Sequence, residues 1–198
     1  MSLTTIIRRL MGRPEFIGRD QQQRLKRLPL DQRNKEFCAI LYRHCEKRAT
    51  DFVKEELQRG ESPYQGISAA LFFHEMLAVT LWIMDKKLTN GKLQLMDELH
   101  DHYFRAYTAL DCTVDERHAA LLKKYKGYDD TWNEITGHLD EFGLKVVQNL
   151  YGKEENVRTR ERTFWIIHYA DDTAKAFFPY KKVRKELDLK SAPEKATV

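Results

Sequence analysis

The chain has 198 residues, 42% of them hydrophobic, which is enough apolar side chain to bury the core of one domain. Nine glycines and five prolines are few for this length, so the composition argues against a turn-rich β-sandwich or barrel and favours helices. The sequence has no run of 18 uncharged apolar residues, which argues against a membrane-spanning helix, and three cysteines are too few for a disulfide framework.

The positive charge is concentrated at the two ends of the chain. Lys and Arg exceed Asp and Glu by six in residues 1–35 and by three in residues 180–198, so the total of +4 leaves −5 for residues 36–179. Basic ends on a mildly acidic body can contact an acidic partner, although a basic tail is more often simply solvated. We expect that partner to be another protein, with an acidic membrane surface or a nucleic acid as alternatives, and we place the contact in residues 1–35.

The first thirty residues form a segment of their own. Residues 1–13 hold three arginines and no acid, with the aliphatic side chains on one face, which predicts a short basic amphipathic helix. Such a helix suits an organelle-targeting peptide, a membrane-surface anchor, a docking helix or a helix packed on its own domain. Pro14 and Pro29 then bracket a polar arm that we expect to be loosely packed.

The rest of the chain has the pattern of a series of helices with short breaks. Apolar side chains recur every three to four residues, and Gly, Pro and capping residues mark the ends. The expected helices cover residues 32–59, 63–88, 92–111, 113–125, 130–151 and 157–178. Capping boxes, in which the side chains of two residues three positions apart satisfy the first amides of a helix, are expected at Ser62–Gln65 and Thr113–Glu116.

These elements predict an all-α fold, a single helical bundle of five to six main helices over residues 31–179. The residues that follow, 180–198, are expected to be a charged and solvated tail. Residues 67–84 and 164–170 are apolar nearly all round, and a helix without a polar face has to be surrounded by others. We therefore expect these two helices to be central.

The two central helices carry ionisable side chains that need partners. Burying an unpaired carboxylate is costly, so Glu75 and at least one of Asp171 and Asp172 should be paired inside the bundle. Histidines are the obvious partners, and inward-reaching Lys or Arg side chains and Tyr hydroxyls are the alternatives. A satisfied polar network that fixes the register of the helices is one interpretation. A catalytic group is another, with His74, Glu75, His168 and Asp171 as the candidates.

A metal site is a further alternative. Four predicted helices each bring a histidine with a carboxylate beside it or one turn away, and imidazole together with carboxylate suits a transition metal. The candidate ligands are His74, Glu75, Asp97, His100, His118, His168 and Asp171. The pattern departs from that of di-iron carboxylate bundles, because this chain has Asp-x-x-His twice and Glu-x-x-His nowhere.

Aromatic residues near these histidines suggest a third kind of site, a pocket for an organic ligand without a metal. Its lining would be Phe73, Trp82, Trp165 and Tyr169. The sequence holds no Gly-rich phosphate loop, no Gly-x-Ser-x-Gly, no Cys-x-x-Cys and no His-Glu-x-x-His, so the common catalytic motifs are absent. No cofactor beyond the candidate transition metal is implied.

From these observations we expect a cytoplasmic binding or regulatory protein, an adaptor or assembly factor, whose basic N-terminal segment is the contact surface. The few cysteines point to a reducing compartment. Peripheral membrane association or organelle targeting by the first helix is the alternative for its location. The alternative function is a helical-bundle enzyme or sensor that binds a metal or a small ligand in a buried pocket of histidines and carboxylates.

Overall fold

The computed structural model describes residues 17–88, 94–106, 113–132, 140–152, 158–187 and 189. Within these ranges the chain forms eight helices and no strand, which confirms the all-α prediction. They are α1 (Arg19–Lys26), α2 (Leu30–Gln58), α3 (Ala69–Leu88), α4 (Gln94–Ala106), α5 (Val114–Thr131), α6 (Asp140–Tyr151), α7 (Thr159–Phe177) and α8 (Tyr180–Glu186). Six are long, as expected for the main helices, and α1 and α8 are short.

None of these eight combines the length and apolarity that crossing a bilayer requires. The amphipathic helix predicted for residues 1–13 lies outside the described residues.

Helix α3 is the centre of the bundle, as predicted for residues 67–84. Every residue from 76 to 84 is buried, and the helix contacts α2, α5, α6 and α7. In this stretch the only polar side chain is Thr80, so no face favours water. Burial on all sides stabilises the fold by about 1.5–3 kcal/mol for each large apolar side chain. Trp82, which is 1% exposed, packs against rings of α5 and α6 here.

Helix α2 buries the predicted apolar stripe and leads into a turn instead of directly into α3. The buried side chains are Phe37, Ile40, Leu41, Cys45, Ala49 and Val53. The sequence predicts that the next helix starts at Pro63, but α3 begins at Ala69. The Ser62 hydroxyl donates to the Glu56 carboxylate at 3.0 Å, and Gly66 has a φ of 83°. A helix cannot pass through this left-handed backbone, so residues 62–68 form turns.

Helix α5 begins as predicted and ends later than predicted. The Thr113 hydroxyl accepts the Glu116 amide at 3.2 Å, and the Glu116 carboxylate accepts the Thr113 amide at 2.8 Å, which is the expected capping box. The helix then continues through Gly127, past the predicted end at Tyr125. A Cβ atom on Gly127 would lie 2.8 Å from Cε of Lys145, so this glycine allows α6 to come close.

Both ends of the described chain are packed against the bundle. Ile17 and Leu25, before and within α1, are each 1% exposed. Tyr180, Val183 and Leu187 are also buried, because they recur every three to four residues on one face of α8. The arm predicted to be loosely packed therefore contains a docked helix. The tail predicted to be solvated begins with a second docked helix, α8.

Helix α7 lies at the surface, so the prediction that residues 164–170 are central is wrong. Phe164 is 53% exposed, and His168 is exposed too. The side chains that α7 buries are Thr159, Arg162, Thr163, Ile166, Tyr169, Ala170, Thr173 and Phe177. The reason is close packing on α6, where a Cβ atom on Gly143 would be 2.8 Å from the Thr163 methyl group. The face of α7 that carries Thr163 packs against Gly143, and the adjacent Phe164 therefore points away from α6.

Candidate functional site

A fully buried carboxyl group, that of Glu75 on α3, joins three helices. Its Oε1 atom accepts hydrogen bonds from the Tyr128 hydroxyl of α5 at 2.6 Å and from the Asn149 amide of α6 at 2.7 Å. Its Oε2 atom accepts from the ammonium group of Lys124, whose side chain is 35% exposed. Glu75 thus has partners inside the bundle, as the sequence led us to expect, but none of these three is a histidine.

This network satisfies its members and fixes the register of α3, α5 and α6. A buried donor or acceptor without a partner costs about 1–3 kcal/mol, and here three donors share one carboxyl group. Burial, and next the neighbouring Glu75, raises the pKa of Tyr128 well above its ordinary value, so its hydroxyl remains a donor. Because protein donors already occupy both oxygens of Glu75, the geometry favours a structural role over a catalytic one.

Two of the candidate metal ligands, His100 of α4 and His118 of α5, do come together. Their ring centroids are 6.1 Å apart, and Phe104 packs against both rings. The Nε2 atom of His100 lies 3.1 Å from the Tyr125 hydroxyl. Burial, and next the His118 beside it, lowers the pKa of His100 to about 4, so this imidazole is neutral at pH 7. The two imidazoles therefore meet as an aromatic contact, and the hydrogen bond of His100 goes to Tyr125.

His74 is adjacent to Glu75 in sequence but faces different neighbours. Its ring packs edge-on to Tyr103 of α4, with the centroids 6.5 Å apart. Burial, and next the Lys124 charge, lowers its pKa. Consecutive helical residues point about 100° apart, because 3.6 residues make one turn. The expected His74–Glu75 pair is therefore divided between two sides of α3.

The remaining candidate ligands lie on the outside of the bundle. The exposed His168 packs its ring against Phe164, with centroids 4.3 Å apart, and the half-exposed Asp171 pairs with Lys175 of the same helix. Asp97 is exposed on α4. Across the described ranges, no three His, Cys, Asp or Glu side chains are arranged to hold a metal ion. The predicted constellation of seven ligands does not converge.

The four aromatic residues expected to line an organic pocket have separate surroundings. Trp82 belongs to the core, and Tyr169 hydrogen-bonds to a threonine of α3. Phe73 is half-buried, while Trp165 lies under the Arg59 guanidinium group, 4.5 Å from its centre. These side chains fill space between helices individually and do not enclose a shared cavity.

A cleft that the sequence did not predict lies between α2 and α4 and has a volume of about 620 Å³. Its walls include Lys35 and Glu36 from α2 and Glu98, Asp101 and Arg105 from α4. A second cleft of about 240 Å³ shares Lys35 and Glu98 with it. The signal in the sequence was charged residues every three to four positions, which is the ordinary pattern of a solvated helix face and does not identify a site.

The two basic ends of the chain meet at Arg33, in the first turn of α2. Its guanidinium group donates to the main-chain oxygens of Leu25, Lys26 and Leu28 at 3.1, 3.0 and 2.9 Å. It also donates to the oxygen of Leu187 at 2.7 Å, which is 154 positions away in sequence. One side chain thus joins the end of α1 to the end of α8. Local patterns could not predict this, because acceptors on the main chain carry no sequence signature.

This junction gathers positive charge on one part of the surface. Residues 19–27 carry four Lys or Arg residues and one acidic residue. Residues 180–187 also carry four Lys or Arg residues and one acidic residue. We call these two segments the basic end. Its exposed cations include Arg19, Arg24, Lys26, Arg27, Lys182 and Lys185. The sequence predicted basic ends, and the structure adds that they are neighbours.

No protein-family model, no curated protein and no solved structure matches the chain. The functional argument therefore rests on its own residues.

Proposed function

We propose that the protein is a cytoplasmic binding protein, an adaptor or assembly factor, that recognises an acidic partner through the basic end. The observation that carries this proposal is the junction at Arg33. It places two segments of net charge +3 each, residues 19–27 and 180–187, on one part of the surface. Their summed potential attracts polyanions and raises the rate of association more than either segment alone.

The exposure of these cations supports recognition of an external partner. The side chains of Lys182 and Arg24 are 83% and 69% exposed, and their ion-pair partners, Glu186 and Glu36, lie 3.8 and 3.1 Å away. Such exposed pairs contribute only about 0–1 kcal/mol, so an anionic partner can replace them at little cost. Binding through this surface should weaken with salt, since charges are screened over about 8 Å at physiological ionic strength.

The alternative function, an enzyme or sensor with a buried pocket, has less support. Glu75 already accepts three hydrogen bonds from the protein, and the other candidate catalytic pair, His168 and Asp171, is on the outside. The interior polar groups are better explained as contributors to the stability and register of the bundle.

Charge reversal at Lys182 and Lys185 tests the proposal. The wild-type protein should bind immobilised heparin, and a Lys182→Glu, Lys185→Glu variant should elute at clearly lower salt because it loses contacts with the polyanion. The matched control is Lys47→Glu with Lys54→Glu, which makes the same change in net charge at two exposed positions in the second half of α2. An equal loss in the control would attribute binding to bulk charge and contradict the proposal.

Charge reversal is a sharper test than deleting residues 1–30. Such a deletion would remove the buried Ile17 and Leu25 and three of the four oxygens that Arg33 binds. Loss of binding could then follow from partial unfolding. The exposed lysines of α8 can be changed without touching the core.

A further inference from the structure

Helices α7 and α8 share a nearly continuous helical surface. Phe178 and Pro179 between them both have right-handed helical dihedral angles, with φ −53° and ψ −41° for the first and φ −60° and ψ −24° for the second. The Val183 amide donates to the Pro179 oxygen at 3.2 Å, which is a helical hydrogen bond across four residues. Side chains spaced three to four apart therefore stay on one face from α7 into α8.

The outward face of this surface carries aromatic and cationic side chains along its length. Its members, which we call the α7–α8 stripe, are Phe164, His168, Asp171, Lys175, Phe178, Lys182 and Lys185. Phe164 and Phe178 are 53% and 68% exposed, and the Lys175 and Lys182 side chains are 59% and 83% exposed. The stripe is about 32 Å long at 1.5 Å per residue. Its one acid, Asp171, is paired with Lys175.

We propose that the α7–α8 stripe, which enters the basic end at Lys182 and Lys185, contacts a membrane surface rich in acidic phospholipid. This inference rests on the proposed function and names the acidic partner. The ammonium groups contact the anionic headgroups, while the rings of Phe164 and Phe178 enter the boundary between headgroups and acyl chains. Charge and apolar surface on the same face act together in this way, because neither alone holds a protein firmly at a bilayer.

The arrangement fits lipid better than nucleic acid. The two exposed rings are 14 positions apart, about 21 Å along the helices, with polar side chains between them, so they do not form a platform on which successive bases stack. Neither of the described clefts is a basic groove that could follow a phosphate backbone. In the cleft between α2 and α4 the three acids Glu36, Glu98 and Asp101 outnumber Lys35 and Arg105, so the cleft is not a basic groove.

Co-sedimentation with vesicles tests the inference on the full chain. The wild-type protein should bind vesicles that contain phosphatidylserine and should not bind vesicles of phosphatidylcholine alone. Phe178→Ser should lower the partition coefficient roughly tenfold, since it removes the more exposed ring from the interface. Leu122→Ser is the matched control, because Leu122 is an apolar residue of α5 that is 48% exposed and lies outside the stripe. Circular dichroism of each variant checks that the helices remain.

The same proteins are then tested against a defined RNA duplex and heparin. If the wild type binds these polyanions but not acidic vesicles, or if Phe178→Ser binds vesicles as well as wild type, the inference is overturned while the proposed function stands. If the wild type binds neither acidic vesicles nor RNA nor heparin, the inference and the proposed function are both wrong. Vesicle binding that is lost in Lys182→Glu, Lys185→Glu and weakened in Phe178→Ser, with RNA binding unchanged in Phe178→Ser, supports the inference.

Discussion

The two helices with the most apolar stretches, α3 and α7, have opposite surroundings. Helix α3 has other helices around it, and its acid, Glu75, is fully buried with three donors. Helix α7 covers one side of the bundle, and its Asp171 pairs in solvent with Lys175. Apolar content therefore does not decide which helix becomes central. Packing at the contact does, and α7 comes close to α6 where Thr163 lies against Gly143.

The largest expected effect is the difference in the free energy of unfolding between variants of Glu75 and variants of Asp171. Glu75→Ala leaves the Lys124, Tyr128 and Asn149 donors without their acceptor and should destabilise the fold by about 3–5 kcal/mol. Asp171→Ala removes an exposed pair and should change stability by less than about 0.5 kcal/mol. Urea denaturation followed by circular dichroism measures both, and similar losses in the two variants would contradict the comparison.

The next effect concerns the contact that places α7. Gly143→Ala puts a Cβ atom 2.8 Å from the Thr163 methyl group and 2.9 Å from the Thr163 main-chain oxygen, which cannot rotate away. We expect a loss of about 1–3 kcal/mol from overpacking, measured as a lower denaturation midpoint. Gly60→Ala is the control, since nothing lies within 4 Å of its Cβ position, and its stability should stay within about 0.5 kcal/mol of wild type.

Acid should weaken the contact between α4 and α5, where His100 packs against Tyr125 and His118. The pKa of His100 falls from its ordinary 6.5 to about 4 on folding, mainly through burial, so the unfolded chain takes up the proton first. Stability from this group is complete above pH 6.5 and is lost as the pH falls toward 4, by about 3 kcal/mol. Denaturation of wild type and His100→Gln between pH 7 and 4 should give curves that converge at low pH. Parallel curves would show that His100 is not responsible.

The smallest expected effect is on the outer face of α7. Phe164→Ser removes a large aromatic side chain, yet the residue is already 53% exposed, so stability should change by less than about 0.5 kcal/mol. Phe72→Ala is the contrast on α3, where the side chain is 0% exposed and its removal should cost about 3–5 kcal/mol. A large loss in Phe164→Ser would mean that another surface covers this ring.

Local signals in the sequence predicted most of the helices correctly. The Thr113–Glu116 capping box, the buried stripe of α2 and the central position of α3 all follow from spacing and side-chain type within one element. Gly127 suggests a break in the sequence, but α5 continues through it. An isolated glycine disfavours a helix by only about 1 kcal/mol, and the contact of Gly127 with α6 offsets this cost. The predicted start of α3 at Pro63 is wrong because the Ser62 hydroxyl, expected to cap α3, donates to Glu56 of the preceding helix.

The candidate site was less predictable than the fold because partners are chosen across helices. The sequence required a partner for Glu75 but could not select Lys124, Tyr128 and Asn149 over the nearer histidines. Those side chains lie 49 to 74 positions further along the chain. Which direction a histidine points depends on the rotation of its helix, and that is fixed only by packing. The same holds for His168, which is exposed because a different face of α7, the one with Thr163, packs on α6.

The hydrogen bonds of Arg33 have a consequence for synthesis. Arg33 is synthesised 154 residues before Leu187, so the two halves of the basic end can assemble only after α8 has left the ribosome. A nascent or prematurely terminated product would carry one cationic segment and lack the other. The cationic surface of the basic end therefore forms only once α1 and α8 are both present to bind Arg33.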